Sequence, residues 1–358
     1  MGERRTSTDF RRTGAHPAIG GFLRLLVGVA GILAAVAAAA AEVEVRTQLG
    51  WLRNGEFAPI MVAEAKGFFA DEGIRHRILD GGPGRNPIPI VGVGQAQFGI
   101  TAGGNIVFEA RLAPDPVDVV AVGTLLQKGP YSFITLANPG DPPPKPKDLE
   151  GKVFGMQADG EIFLKAFAKK HNLDLSKIKV EIVQANAEPL LVGRVDFFTG
   201  WITNQTYQIE QEAAKPDAPA RLRGKTWKAM SFAEYGVHSY SDVIFTTGKI
   251  VRENPDLVRR YLRAVARGMQ HILDHPDETV QLVAGFPEQV DKAEKLAWRW
   301  KIQNALFVSE DTRTHGLLWM NPKIWEGMMA FYREYERIPR VLPVGEVMTD
   351  AFLPAIKR

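Results

Sequence analysis

Polar and apolar positions change period several times along the chain, and each change marks an element. Val43 to Leu49 alternates as a half-buried strand should, and the run stops at "GWLRNGEFAP". Residues 60–69 take helical spacing, with Gly67 closing the helix, and "IRHRIL" at 74–79 alternates again. Strand, helix and strand joined by short connections predict parallel pairing and an α/β layer. Residues 138–147, "NPGDPPPKPK", can continue neither regular structure; a second strand and helix series then runs from "DLEGKVFGM" to about residue 200.

The last third is mostly helical. Asn254 is placed as an N-cap with Pro255 at the first helical position, and Leu257, Val258, Tyr261, Leu262, Val265, Met269 and Ile272 recur at threes and fours until Pro276. Further helices are predicted over 277–285, 288–305 and 322–336.

Two segments echo each other. "GQAQFGITAGGN" (94–105) and "GRVDFFTGWITN" (193–204) both open on glycine, carry phenylalanine at the fifth place and close on asparagine. Each follows a short apolar stretch, "NPIPIVGV" and "NAEPLLV", that reads as a helix ended by the glycine. One copy in each half places two equivalent loops at strand ends, where open α/β sheets take ligands. The spacing Gly92, Gly94, Gly99 is not G-x-G-x-x-G, and "GGPGRN" (81–86) lacks a suitable strand and helix around it, so neither supports a dinucleotide site.

The N-terminus departs from the rest. Residues 1–24 carry five arginines and only Glu3 and Asp9 as acids, and Leu25 to Ala41 is an apolar run ending in alanines. This is the pattern of a secretory signal cut near Ala41, with an uncleaved anchor as the alternative. "RRTGAHP" lacks the apolar residues expected after a twin-arginine pair. Of the 44 basic and 41 acidic residues in the chain, 39 of each remain without that segment, so the net charge of +3 belongs to the leader and nucleic-acid binding loses its support. The chain has no cysteine, which excludes disulfides, thiolate metal sites, a cysteine nucleophile and a lipidated N-terminal cysteine.

Nor does a catalytic or metal-binding constellation emerge. His76, His171, His238, His271, His275 and His315 are scattered without H-E-x-x-H, and G-x-S-x-G is absent. A binder with no cofactor, no metal and no catalytic residue is expected.

Six stretches in order carry a resemblance: "WLRNGEFAPIMVAEAKGFFADEGI", "GVGQAQFGI", "PKDLEGKVFGMQ", "LLVGRVDFFTGWITNQ", "YSDVIFTTGKIVRENPDLVRRYLRAVARGMQHILDHPDE" and "VMTDAFLPA". The chain resembles the substrate-binding proteins of ABC importers, in the branch of nitrate, sulfonate, taurine and thiamine-pyrimidine-precursor binders. That resemblance implies a two-lobed α/β periplasmic binding protein of type II with two crossover hinges. Residues 43–130 plus 245–358 would form lobe one and 131–244 lobe two, with crossovers near 127–133 and 238–245. It also implies a periplasmic monomer, a small-molecule ligand and a membrane permease as partner. "GWITNQ" and "GVHSYSDVI" look most like pyrimidine-precursor binders. The fungal pyrimidine synthases share the fold but carry a cysteine-rich motif absent here, which favours transport over synthesis; a sensor module without a transporter is the third class.

On that frame the strand-end loops supply the candidate ligand residues. Trp51 and Phe57 either stack on a planar ligand or pack the core between the lobes, and Asn54 offers its amide. Asn105 either caps its helix or touches ligand, and Gln127 at the crossover has the same two readings. Gln157 and Asp159 follow a second-lobe strand, where Asp159 is equally an N-cap. Glu188 is either an amine partner or a solvated acid at a helix start. Trp201 and Asn204 sit on the second copy of the echo, so that Trp201 and Trp51 would sandwich a flat ring. Tyr240 and Asp242 either read ligand in the closed protein or serve the hinge. Aromatic and acidic walls favour a neutral or amine-bearing heterocycle, a flavin included; Arg53, Arg85 and Lys128 keep a small oxyanion open.

Overall fold

Ten strands form two five-stranded sheets in the computed structural model, which describes residues 42–157 and 160–357. The expected export segment, 1–41, and Asp159 lie outside the described residues. The first sheet holds β1 (Val43–Gln48), β2 (Ile74–Leu79), β3 (Phe98–Thr101), β4 (Val119–Leu126) and β10 (Ser241–Thr247), in the order β2-β1-β3-β10-β4. The second holds β5 (Tyr131–Ala137), β6 (Val153–Met156), β7 (Lys179–Ile182), β8 (Phe197–Trp201) and β9 (Thr226–Ser231), in the order β7-β6-β8-β5-β9.

The two orders are the same pattern. In each, three strands pair in parallel, as the short strand and helix connections require, and a fourth runs antiparallel beside them. That antiparallel strand is the one arriving from the other lobe: β5 enters the second sheet directly after β4, and β10 returns to the first after β9. The chain thus crosses twice between two lobes. Ser241–Ile244, assigned above to lobe two, pair instead with β3 and β4 of the first sheet, so the return crossing ends earlier than residue 245.

The echo has a shared geometry. Helices Pro87–Gly92 and Glu188–Leu191 precede Gly94 and Gly193, whose φ values are 80° and 82°. Glycine adopts this left-handed conformation without the penalty a Cβ brings, so it turns each chain from helix into the central strands β3 and β8.

Gly67, at φ 74°, divides the first predicted helix into Ala58–Ala65 and Phe68–Asp71. The long apolar stripe becomes helix Pro255–Asp274, which buries Tyr261, Leu262, Val265 and Met269 against the first sheet and helix Ala58–Ala65. Asn254 makes no side-chain cap bond, because another helix, Gly248–Glu253, ends directly against it. The remaining predicted helices appear as Pro276–Ala284, Ala293–Leu306 and Pro322–Glu334.

His76 is a core histidine. It stacks on Phe69 at 4.0 Å and bridges Thr47 Oγ1 and Glu64 Oε2, and burial lowers its pKa.

Candidate functional site

A cavity of about 350 Å³ lies between the lobes where the strand-end loops meet. From the first lobe come Ala102, Gly103 and Asn105 after β3, with Met328 and Tyr332 of helix Pro322–Glu334. Tyr131, Phe163 and Trp201 face them from the second lobe. Ser239, Tyr240 and Ser241 of the return crossing complete the wall.

Sheet register aims the aromatic groups. Trp201 ends β8 directly opposite Tyr131, the first residue of β5. The Trp201 backbone N–H donates to Gln205 Oε1 at 2.8 Å, and its side chain packs against the core of the first lobe. Tyr131 donates to Gln157 Oε1 at 3.3 Å and meets Phe163 edge-on at 5.6 Å. Phe163 in turn lies 5.8 Å from Phe331, so the aromatic wall runs from one lobe into the other. The Tyr240 hydroxyl accepts the Asn321 N–H at 2.7 Å; burial raises its pKa and leaves the phenol neutral.

One end of the cavity is polar. Asn105 Nδ2 donates to Glu109 Oε2 at 3.2 Å on the first turn of helix Asn105–Leu112, and the Arg337 guanidinium lines the same space. Desolvation raises the Glu109 pKa, opposed by the Asn105 hydrogen bond and by Arg337.

Of the residues singled out from sequence that lie among the described residues, the fold brings Asn105, Trp201 and Tyr240 to this cavity and gives the others different surroundings. Trp51 is 38% exposed and is not part of the wall. Asn54 caps the short helix Gly55–Phe57 by accepting the Glu56 N–H, while Phe57 is buried in the first core. Gln127 donates to Trp319 O and accepts from Ser309 Oγ, both at 2.9 Å, which ties the outgoing crossover to the C-terminal helices. Gln157 supports Tyr131 and Thr199 from behind. Glu188 is an exposed first-turn acid. Asn204 stands at the start of helix Gln205–Ala214 without a side-chain cap bond and outside the lining.

Asp242 is fully buried at φ 54°, and no protein N–H or hydroxyl reaches either carboxyl oxygen. Its polar neighbour is the Glu56 carboxyl, itself buried, with Arg299 close to both. Two carboxylates cannot hydrogen-bond unless one carries a proton. Burial drives the Asp242 pKa well up, and the neighbouring Glu56 charge pushes it further, which favours the neutral carboxyl at Asp242. Asp242 thus meets groups of the first lobe and lies outside the cavity lining.

A larger groove of about 550 Å³ separates helices Glu161–His171 and Pro322–Glu334. The Lys169–Glu334 ion pair spans it, and Gly236, Val237 and His238 of the return crossing line it.

Residues 54–279 match the family model described as NMT1/THI5 like. The chain belongs to this family. Among its relatives, the riboflavin-binding protein RibY of Chloroflexus aurantiacus is 26% identical over 87% of this chain and 86% of its own length. A 4-amino-5-hydroxymethyl-2-methylpyrimidine phosphate synthase of Legionella pneumophila is 23% identical over 86% of this chain and 91% of its own. In three dimensions the chain is similar to the periplasmic aliphatic sulphonate binding protein SsuA of Escherichia coli, with a TM-score of 0.63 and 13% identity over 88% of this chain and 94% of that one. The fold is that of the periplasmic binding proteins, as the sequence resemblance implied.

Tyr131, Phe163, Glu109, Tyr332 and Arg337 line this cavity without having been singled out from sequence. Two of them left a signal: Glu109 follows Asn105 by four residues, hence on the same helix face, and Tyr131 sits in the outgoing crossover. The other three come from helices or loops far along the chain and left none.

Proposed function

We propose that the chain is exported by means of residues 1–41 and serves in the periplasm as a monomeric solute-binding protein, delivering a small flat heterocycle to the permease of an ABC importer. The observation that carries this reading is the cavity between the lobes, whose walls are the rings of Tyr131, Phe163, Trp201 and Tyr332. Rings on several sides favour a planar ligand by stacking and edge contacts. Because the walls come from both lobes, a ligand makes its full set of contacts only when they are together, and that difference drives closure.

The names of the two sequence relatives refer to a flavin and a pyrimidine, both flat nitrogen heterocycles. A volume of about 350 Å³ is near the lower end of the range of roughly 300–1,000 Å³ for ligand pockets, which suits one ring better than three. An aminopyrimidine is therefore the favoured ligand. The names of several relatives also raise a synthase. Among the described residues the cavity lining includes neither lysine nor histidine, and this supports binding over an imine-based reaction.

Thermal melts and solution scattering with 4-amino-5-hydroxymethyl-2-methylpyrimidine, riboflavin and an alkanesulfonate test the reading. A bound heterocycle at a hundredfold excess over Kd stabilises by about 2.7 kcal/mol and compacts the protein. A response to the sulfonate alone overturns the heterocycle; a lysine-linked chromophore in protein incubated with pyridoxal phosphate overturns the binder.

A further inference from the structure

We infer that Glu109, with Asn105 and Arg337, reads one edge of the bound ring and selects amine-bearing heterocycles against oxyanions. The inference rests on the solute-binding reading above and adds the chemistry of recognition to it.

The three groups share the polar end of the cavity, and each has unused capacity there. Asn105 spends one amide N–H on Glu109. Its Oδ1 lies against the Cα of Gly103, where a Cβ would collide with it, and no donor among the described residues reaches it. Glu109 takes part in no ion pair among the described residues, although Arg337 lines the same cavity. Arg337 likewise forms no ion pair with a carboxylate among the described residues. A cation and an anion that share a small cavity without pairing leave room for a ligand between them.

Donor and acceptor capacity then fixes the ligand's edge. Glu109 and the Asn105 amide oxygen accept, so they ask for N–H groups; Arg337 only donates, so it asks for a ring nitrogen, a carbonyl or a hydroxyl. An exocyclic amine beside a ring nitrogen supplies both. A sulfonate or nitrate would satisfy Arg337 but bring its charge against Glu109, and would leave the two acceptors without a donor. The signal is local to this pocket end, since the other walls are rings, aliphatic groups and serines.

The test uses calorimetric titration of the wild-type protein and Glu109→Gln with 4-amino-5-hydroxymethyl-2-methylpyrimidine and with its analogue lacking the 4-amino group. Glu109 is only partly buried and has one side-chain partner, so the glutamine variant is expected to melt with the wild type. The wild type should prefer the amine, and Glu109→Gln should lose about ten- to a hundredfold for the amine while leaving the analogue unchanged. Gly103→Ala, which displaces the Asn105 oxygen, should erode the same preference. If Glu109→Gln keeps the full preference, the assignment of Glu109 is overturned and the solute-binding reading stands. If the wild type binds neither compound but binds an alkanesulfonate, the heterocycle reading falls, and this inference with it.

Discussion

The indole N–H of Trp298 donates to Glu210 Oε2 at 2.9 Å, and the bond joins the two lobes. Trp298 lies on helix Ala293–Leu306 and Glu210 on helix Gln205–Ala214. The other oxygen of Glu210 accepts from Trp227 of β9 at 2.8 Å, so one carboxylate is anchored in its own lobe while it holds the opposite one. Tyr207 packs on Trp298 at 5.1 Å beside it. Glu210→Gln keeps the shape and weakens one charge-assisted acceptor, which is expected to lower ligand affinity by about fivefold through the closed population. Scattering of the ligand-free variant should give a larger radius than the wild type; identical radii and affinities would show that the bond does not bias closure.

The two tryptophans proposed to sandwich a ring should behave differently. Trp201 lines the cavity, whereas Trp51 is partly exposed and stands outside the lining. Trp201→Ala is expected to weaken binding of an aminopyrimidine by more than about tenfold, the scale of a lost stacking and packing contact. Trp51→Ala should stay within about twofold. Equal losses in both would restore the sandwich expected from sequence.

The Asp242 and Glu56 pair predicts a pH dependence whose sign follows from burial. Both folded pKa values are raised, Asp242 the more strongly. The folded protein then holds more protons than the unfolded chain above the ordinary carboxylate range, so this contribution is fully present in acid and is lost as pH rises toward the folded value. Arg299 opposes the shift on both groups, and Asp291 adds to that on Glu56. Asp242→Asn tolerates the positive φ and supplies a permanent donor to Glu56. Urea midpoints at pH 5 and pH 8 should differ less in the variant than in the wild type; an unchanged difference would place the titration elsewhere.

The paired glycines offer a test of the structural echo. Nothing surrounds the site of a Cβ on Gly94, so Gly94→Ala is expected to cost about 1 kcal/mol from backbone strain alone. Gly193→Ala must also displace the Arg221 guanidinium, a flexible end that moves at little further cost. Similar losses in urea unfolding would identify both positions as the same turn, and a neutral Gly94→Ala would refute the strain.

Much of the architecture was written in the order of residues. Alternation at 43–49 and 74–79, the stripe of helix Pro255–Asp274 and the repeated glycine turn each depend on neighbours within a few places, and all reappear as strands, a helix and two equivalent turns. The candidate site was legible only where those local patterns end at the cleft, at Asn105, Trp201 and Tyr240. What several of the other polar residues do depends on partners far away in the chain. Gly55 N–H and Arg299 share Asp291, Gln127 meets Ser309 and Trp319, and Asp242 meets Glu56. The sequence by itself determined the elements and their repetition, because hydrophobic period and glycine conformation act over one or two turns of chain. Only the tertiary structure decided which polar groups face the cavity and which are consumed inside a lobe, because burial and hydrogen-bond satisfaction are set by whatever the fold packs against them.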